Sequence, residues 1–126
     1  MNSGPDTEPV IRIITMPADA NADGDIFGGW LMSLMDMGAG LVAARKAGGR
    51  VATVAMDGMQ FLSPVKVGDE VSVFGTLERV GRTSITVAIE AWRRSRYVEE
   101  RFKVTEARFT FVALDENGRP RPVEQE

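Results

Sequence analysis

Hydrophobic residues follow two different patterns along this chain. One nearly unbroken apolar stretch runs through residues 26–44, with Arg45 and Lys46 after it and the pair Gly48-Gly49 behind them. This length and these stop signals predict one long helix from about Gly28 to Lys46. Because the helix is apolar nearly all round, other parts of the molecule must cover it on several sides.

The rest of the chain shows the two-residue alternation of β-strands. A short β-branched segment at Val10–Thr15 predicts a first strand, and a loop rich in Pro, Asn, Asp and Gly separates it from the helix. The segment 50–62 is apolar at both parities, which indicates a strand that is covered on both faces or lies at an interface. Three alternating segments follow, with a bulge expected near Thr105. Their predicted inward positions are Val71, Val73, Leu77, Ile85, Val87, Ile89, Ala107, Phe109 and Phe111.

One strand, one long helix and four more strands joined by short turns predict an α+β fold with a five-stranded antiparallel sheet. The last three strands should form a meander, because their connections are short. A single curved sheet cannot cover every side of the helix, so we expect a second copy to pack there and the protein to be at least a dimer. The 126 residues predict a single domain, 1–126, with flexible polar ends at 1–9 and about 117–126.

Composition narrows the chemistry. The chain has no cysteine and no histidine, which excludes disulfides, thiolate metal sites, cysteine nucleophiles, Ser-His-Asp triads and the common zinc sites. Carboxylates therefore remain the main candidates for acid–base chemistry near neutral pH, and we expect no metal site. A net charge of −3 gives no reason to expect nucleic acid as a partner.

The first ten residues lack the basic and apolar regions of a secretory signal. The apolar helix is nearly long enough to span a membrane, but one carboxylate at mid-span and four glycines weigh against insertion. We therefore expect a cytoplasmic protein that has no membrane partner.

The carboxylate within the apolar helix is Asp36. At 100° per residue it shares a face with mostly small residues, where a partner or a ligand can approach closely. Asp36 is therefore the first candidate for a catalytic group, although a structural carboxylate bonded to the backbone or to an arginine would fit the same pattern. Asp57, which also interrupts apolar residues, is the second candidate. The face of Asp36 comprises Gly29, Met32, Ser33, Ala39, Gly40 and Ala43, and the opposite stripe, expected against the sheet, comprises Leu31, Leu34, Met35, Leu41 and Val42.

Gly28 and Gly29 open the predicted helix, eight and seven residues before Asp36. A helix start has N–H groups without intrahelical partners and a partial positive charge. Glycine lets a ligand oxygen come close to those donors, as an oxyanion hole requires. The alternative is that the two glycines merely turn the chain after the loop.

Basic residues flank two of the predicted turns. Together with neighbouring hydroxyl groups, their guanidinium groups could hold phosphate. The alternative is that these residues are solvated hairpin ends. The first turn carries Arg79, Arg82, Thr83 and Ser84, and the second carries Arg93, Arg94 and Arg96.

Four segments that cover nearly the whole chain from Met16 to Pro122 carry a family resemblance. They are "MPADANADGDIFGGWLMSLMDMGAG", "GRVATVAMDGMQFLSPVKVGDEV", "GRTSITVAIEAW" and "VTEARFTFVALDENGRPRP". They resemble the hotdog-fold acyl-CoA thioesterases, in particular the YciA-like group. The resemblance implies a long helix wrapped by the sheet, two protomers joined into one continuous sheet with active sites at their interface, and a trimer of dimers, that is, a homohexamer.

The resemblance also implies roles for particular residues. The family's catalytic carboxylate maps onto Asp36, and its oxyanion-hole glycine maps onto Gly28 or Gly29. Asn21 in the loop and Thr53 on the following strand correspond to further site residues, which would orient the attacking water or the carboxylate.

The implied activity is hydrolysis of an acyl-CoA thioester to a free acid and CoA, within fatty acid metabolism. Asp36 would act as general base on water or attack directly as a nucleophile. The turn of Arg82, Thr83 and Ser84 resembles the segment that contacts the nucleotide of CoA. No cofactor is implied, because CoA is part of the substrate.

Two alternatives remain open at this point. A hotdog dehydratase usually needs a histidine beside its acid, and this chain has none. A non-catalytic acyl-CoA-binding or regulatory module would bind CoA without releasing its thiol. An assay of thiol release therefore distinguishes that module from a hydrolase.

Overall fold

The computed structural model describes residues 4–124. Its strands are β1 (Ile11–Ile14), β2 (Val51–Asp57), β3 (Glu70–Val80), β4 (Ser84–Arg94) and β5 (Phe102–Ala113). Its one long helix, α1, spans Gly28–Ala47, and a short 3-10 turn lies at Pro17–Asp19. All strand pairs are antiparallel, in the order β1-β3-β4-β5-β2. The predicted α+β class, the five strands and the meander β3-β4-β5 are confirmed.

The helix has the predicted bounds to within one residue. Phe27 precedes it in an extended conformation, with φ −60° and ψ 136°. At the other end Gly48 has φ 68°, and its N–H donates to the carbonyl of Ala44. This left-handed conformation is the one that favours glycine after a helix, so the sequence signal and the observed cap have the same cause.

The core lies between α1 and the concave face of the sheet. Of the predicted inward positions on the strands, only Leu77 is not buried, with 40% of its surface exposed. A register shift between Leu77 and Arg79 changes the parity of β3, and Val80 packs against the core instead. The bulge expected near Thr105 is confirmed by a register shift that pairs Ala91 with Thr105 and Trp92 with Lys103.

The prediction for the helix faces was partly wrong. Leu41 was expected against the sheet but is 47% exposed, whereas Ala39 and Ala43, expected on the open face, are fully buried. A helix packs on a twisted sheet along a ridge of side chains spaced four residues apart. Each step of four residues turns this ridge about 40° further around the helix axis. The buried stripe therefore slants across the helix. Its members are Leu31, Leu34, Met35, Gly38, Ala39 and Ala43.

Strand β2 lies at one edge of the sheet, and among the described residues it pairs only with β5. It ends at Asp57, so the predicted strand over 50–62 was too long, and the left-handed Gly58, with φ 77°, follows it. A register shift between Thr53 and Ala55 leaves Val54 out of the ladder and 60% exposed. The segment that is apolar at both parities is thus an edge strand with apolar exposed surface, in keeping with the expected interface.

Both ends of the described chain pack against the sheet. Near the N-terminus, Arg101 donates a 2.9 Å hydrogen bond to the carbonyl of Pro5. Near the C-terminus, the side chain of Val123 is only 5% exposed, and its N–H donates to the carbonyl of Arg82 at 2.9 Å. The remaining ends, 1–3 and 125–126, lie outside the described residues. Within residues 4–124, no helix has the length and apolarity that a membrane span requires.

Candidate active site

Asp36 and Thr53 are brought together by the contact between α1 and β2. The hydroxyl of Thr53 donates a 2.7 Å hydrogen bond to Oδ1 of Asp36. Within residues 4–124 the Asp36 carboxylate has no arginine or backbone partner, so neither structural alternative accounts for it. Asp36 is half-buried, and its Oδ2 remains available to take a proton from another group.

Gly28 and Gly29 form the first two positions of α1. Trp30 and Leu31 donate their N–H groups to the carbonyl of Phe27, so the first turn closes behind the glycines. In the described part of the chain no acceptor is paired with the N–H of Gly28 or of Gly29. Two unpaired donors at a positive helix end can stabilise an oxyanion.

These donors and Asp36 do not meet within one chain. Gly28 lies eight residues before Asp36, which separates them by roughly 12 Å along the helix axis at 1.5 Å per residue. A reacting carbonyl must lie about 3 Å from its oxyanion donors and about as close to the attacking group. The glycine N–H donors and the Asp36 carboxylate of one chain therefore cannot act on the same carbonyl group.

Asn21 organises the loop before the helix. Its Oδ1 accepts the N–H groups of Asp23 and Asp25, at 2.9 and 3.1 Å, and its own N–H donates to the carbonyl of Asp25. An ion pair between Asp25 and Lys66 ties this loop to the approach of β3. The side-chain amide nitrogen of Asn21 has no partner within residues 4–124 and can donate to another group.

The predicted phosphate-binding residues lie at two different ends of the sheet. Arg82 and Thr83 lie in the turn between β3 and β4, and Ser84 is the first residue of β4. The carbonyl of Thr83 accepts the N–H of Ala113. Arg93 lies near the other end of β4, roughly 30 Å from Ser84 at 3.3 Å per residue. The structure therefore does not bring Arg93 and the turn together within one chain.

Arg93 has partners of its own. Its guanidinium lies 5.0 Å from the centre of the Phe102 ring, and its Nε donates a 3.2 Å hydrogen bond to the hydroxyl of Ser63. These contacts hold its side chain along the surface beside the segment that follows β2. The guanidinium keeps further donors that can meet an anion.

Asp57 belongs to a different surface. It lines a groove of about 290 Å³ on the convex side of the sheet, away from α1. Lys103 lowers the pKa of the Glu106 carboxyl in this groove by a hydrogen bond and by its charge, and Glu78 raises the pKa of Arg108 in the same way. Glu106 and Arg108 of the groove are thus each paired with a neighbouring side chain of opposite charge. Asp57 thus lies on the face of the sheet opposite the helix that carries Asp36.

Phe61 is a residue of this region that the sequence did not single out. A Cβ atom on Gly28 would lie 3.2 Å from the ring of Phe61, which therefore covers the helix start. Thirty-three residues separate the two positions, and no periodicity links them. Only the path of the chain after β2 reveals the contact.

The chain is similar to known proteins over nearly its full length. A family model described as "Thioesterase superfamily" matches residues 23–100. The chain is 55% identical over 116 residues to an uncharacterized acyl-CoA thioester hydrolase of Zymomonas mobilis, with coverage of 92% of this chain and 78% of that protein. It is 49% identical over 125 residues to the acyl-CoA thioester hydrolase YciA of Escherichia coli K12, with 95% of each chain covered.

The chain is also similar to a solved structure. The crystal structure of an Asp-to-Ala mutant of HI0827, a hexameric broad specificity acyl-coenzyme A thioesterase, has a TM-score of 0.88 and 48% identity to this chain. The similarity covers 94% of this chain and 87% of that one. The long helix inside a curled five-stranded sheet is accordingly the hotdog fold. This chain belongs to the thioesterase superfamily and, within it, to the YciA-like group.

Proposed function

We propose that this protein is an acyl-CoA thioester hydrolase that converts acyl-CoA and water into a free carboxylic acid and CoA. The observation that carries the proposal is the Asp36 carboxylate, which the Thr53 hydroxyl holds at 2.7 Å beside an open helix face. Relatives at about half identity bear the name of this activity, and an Asp-to-Ala mutant of one of them was chosen for structure determination. The names of the relatives support the activity, and the mutant is consistent with a reacting aspartate in that relative.

The hydrogen bond from Thr53 occupies Oδ1 and leaves Oδ2 of Asp36 to react. In the general-base route, Oδ2 takes a proton from water while the water oxygen attacks the thioester carbon. The C–S bond then breaks, and the proton passes to the CoA sulfur. In the nucleophilic route, Oδ2 itself attacks, the thiolate leaves, and water hydrolyses the resulting anhydride. Either route ends with a carboxylic acid, a CoA thiol and a regenerated Asp36.

The oxyanion is assigned to the helix start of a second protomer. Because roughly 12 Å separates Gly28 from Asp36 along one helix, a complete site needs Asp36 and Thr53 of one protomer with the partner subunit's Gly28 and Gly29. A homo-oligomer is therefore part of the proposed function. A dimer is its minimum, and the hexameric assembly of HI0827 supports a trimer of dimers.

The remaining site residues are assigned to binding and orientation. The free amide nitrogen of Asn21 would hold the attacking water or the carboxylate. The Arg82-Thr83-Ser84 turn would bind the phosphates of the CoA nucleotide, and Arg93 would reach the CoA of a site built with another protomer, since it lies at the other end of β4. No cofactor is needed beyond the CoA of the substrate.

Thiol release from a panel of acyl-CoA thioesters tests the proposal. The wild-type protein should release CoA thiol, and Asp36→Asn should lower kcat at least about 100-fold while CoA binding, measured by calorimetry, persists. Asp57→Asn is the matched control, because it removes a carboxylate from the convex face and should leave kcat unchanged. CoA binding by the wild type without thiol release would instead identify a non-catalytic binding module.

A further inference from the structure

Phe61 distinguishes the two glycines at the start of α1. A Cβ atom on Gly28 would lie 3.2 Å from Cζ and 3.3 Å from Cε2 of the Phe61 ring. The same position on Gly29 has no heavy atom of residues 4–124 within 4 Å. The ring therefore forms a wall on one side of the helix start and leaves the other side open.

The backbone around Phe61 is fixed to the sheet. The N–H of Leu62 donates a 2.7 Å hydrogen bond to the carbonyl of Val104, a fully buried residue of β5. The sulfur of Met59 accepts a hydrogen bond from the hydroxyl of Thr105, at 3.4 Å. Phe61 itself remains 47% exposed, so the core does not account for its position.

The wall lies within reach of the acyl group of a thioester whose carbonyl oxygen accepts the Gly28 N–H. A carbonyl oxygen that accepts a glycine N–H at about 2.9 Å places the acyl α-carbon roughly 5 Å from the donor nitrogen. The Cβ position of Gly28 is about 2.5 Å from the same nitrogen, and the Phe61 ring lies next to it. A branch on the α-carbon would thus compete with the ring for space.

We infer that Phe61 is a specificity-determining residue, whose ring excludes acyl groups that are branched or bulky at the α-carbon. The inference rests on the proposed hydrolase function and on the helix start as its oxyanion site. An apolar ring suits the acyl chain rather than the pantetheine arm of CoA, because the amides of that arm would lose hydrogen bonds against it.

The test compares isobutyryl-CoA with butyryl-CoA, which have the same number of carbon atoms and differ in branching at the α-carbon. Phe61→Ala should raise kcat/KM for isobutyryl-CoA relative to that for butyryl-CoA about tenfold. This is the effect expected when an apolar pocket accepts one more methyl group. Both substrates are measured on one preparation, so a smaller fraction of folded enzyme cancels from the ratio. If Phe61→Ala does not fold, Phe61→Leu should raise the ratio in the same direction by a smaller factor.

Leu62→Ala is the matched control. It removes a 63% exposed apolar side chain from the same segment and should leave the ratio unchanged. An equal change of the ratio in Phe61→Ala and Leu62→Ala would overturn the inference, as would no change in Phe61→Ala and Phe61→Leu. In either case hydrolysis of both substrates by the wild type leaves the proposed function standing. If the wild type released no thiol from any acyl-CoA tested, this would instead contradict the proposed function itself.

Discussion

The Thr53 hydroxyl on β2 donates a 2.7 Å hydrogen bond to Oδ1 of Asp36 on α1, so the edge strand fixes the orientation of the helix-borne carboxylate. Thr53→Val keeps the shape of the side chain and removes the donor. Because misplacement of a reacting group by about 1 Å costs roughly 100-fold in rate, we expect kcat to fall by 10- to 100-fold with KM little changed. Steady-state kinetics of thiol release measure this.

Thr53→Ser is the control for that prediction, because it retains the hydroxyl. It should keep most of the wild-type kcat. Equal kcat values for Thr53→Val and the wild type would show that the hydrogen bond plays no part in the reaction.

The N–H of Gly28 can be removed without breaking the helix. Gly28 is the first helical position, where proline is well tolerated, and the extended Phe27 before it suits a following proline. Gly28→Pro deletes the donor, and Gly28→Ala adds the same Cβ crowding against Phe61 but keeps the N–H. If Gly28 supplies the oxyanion donor, kcat in Gly28→Pro should be about 100- to 1000-fold below that in Gly28→Ala. Similar values in both variants would leave Gly29 as the donor.

Mixed oligomers test whether the site is shared between protomers. Asp36→Asn and Gly28→Pro are each expected to be nearly inactive. In a mixed dimer one site combines the intact Asp36 of one chain with the intact Gly28 of the other, so random mixing should restore activity to about a quarter of the sites. Co-expression of the two variants with different tags, followed by thiol-release assays, measures the recovery. A site contained within one chain would show no recovery.

Gly38 is enclosed between the helix and the sheet. A Cβ atom there would lie 3.0 Å from Val10 and 3.1 Å from the fully buried Val73. Gly38→Ala should therefore lower the free energy of unfolding by about 1–3 kcal/mol, despite the better helix propensity of alanine. Gly40→Ala is the comparison, since its Cβ would meet only Phe111, at 3.7 Å, and should be neutral or stabilising. Urea unfolding at equal protein concentration measures both, and equal destabilisation would contradict the packing argument.

Lys103 and Glu106 form an ion pair on the convex face of the sheet. Lys103 lowers the pKa of the Glu106 carboxyl, so the pair stabilises the fold above the unfolded-state pKa and loses this contribution as the pH falls through the folded-state pKa. Lys103→Met should return the Glu106 pKa to its ordinary range, as measured by carboxyl ¹³C NMR. Lys66→Met, which breaks an exposed pair elsewhere, should leave that pKa unaltered. An unchanged Glu106 pKa in Lys103→Met would contradict the prediction.

Local signals account for the parts of the fold that the sequence predicted. The helix ends at Gly48 because that position takes a left-handed conformation, and Ile85, Val87 and Ile89 point inward because they alternate on one strand. The exposure of Leu41 was not predictable in this way. It depends on the angle at which the twisted sheet crosses the helix, and the spacing of residues along the helix does not determine that angle.

The site was predictable to different degrees. Asp36 is conspicuous as a carboxylate in an apolar helix. Thr53 was predicted as a site residue only through the family resemblance. The separation of Arg93 from Arg82 follows from the length of β4, which was available from the sequence once both were placed at the ends of one strand. The contact of Phe61 with Gly28 has no local signal, because it depends on how the segment after β2 folds back over the helix start.

Within the part of the chain that the structure describes, one edge of β2 is unpaired, and this affects how much active enzyme a given solution contains. An apolar strand with one free edge is a template for unwanted pairing, and a partner subunit would remove that hazard. If the edge closes only on association, dilution should convert the protein into a less stable, aggregation-prone form. Specific activity and thermal midpoint would then both rise with protein concentration, as mass action requires.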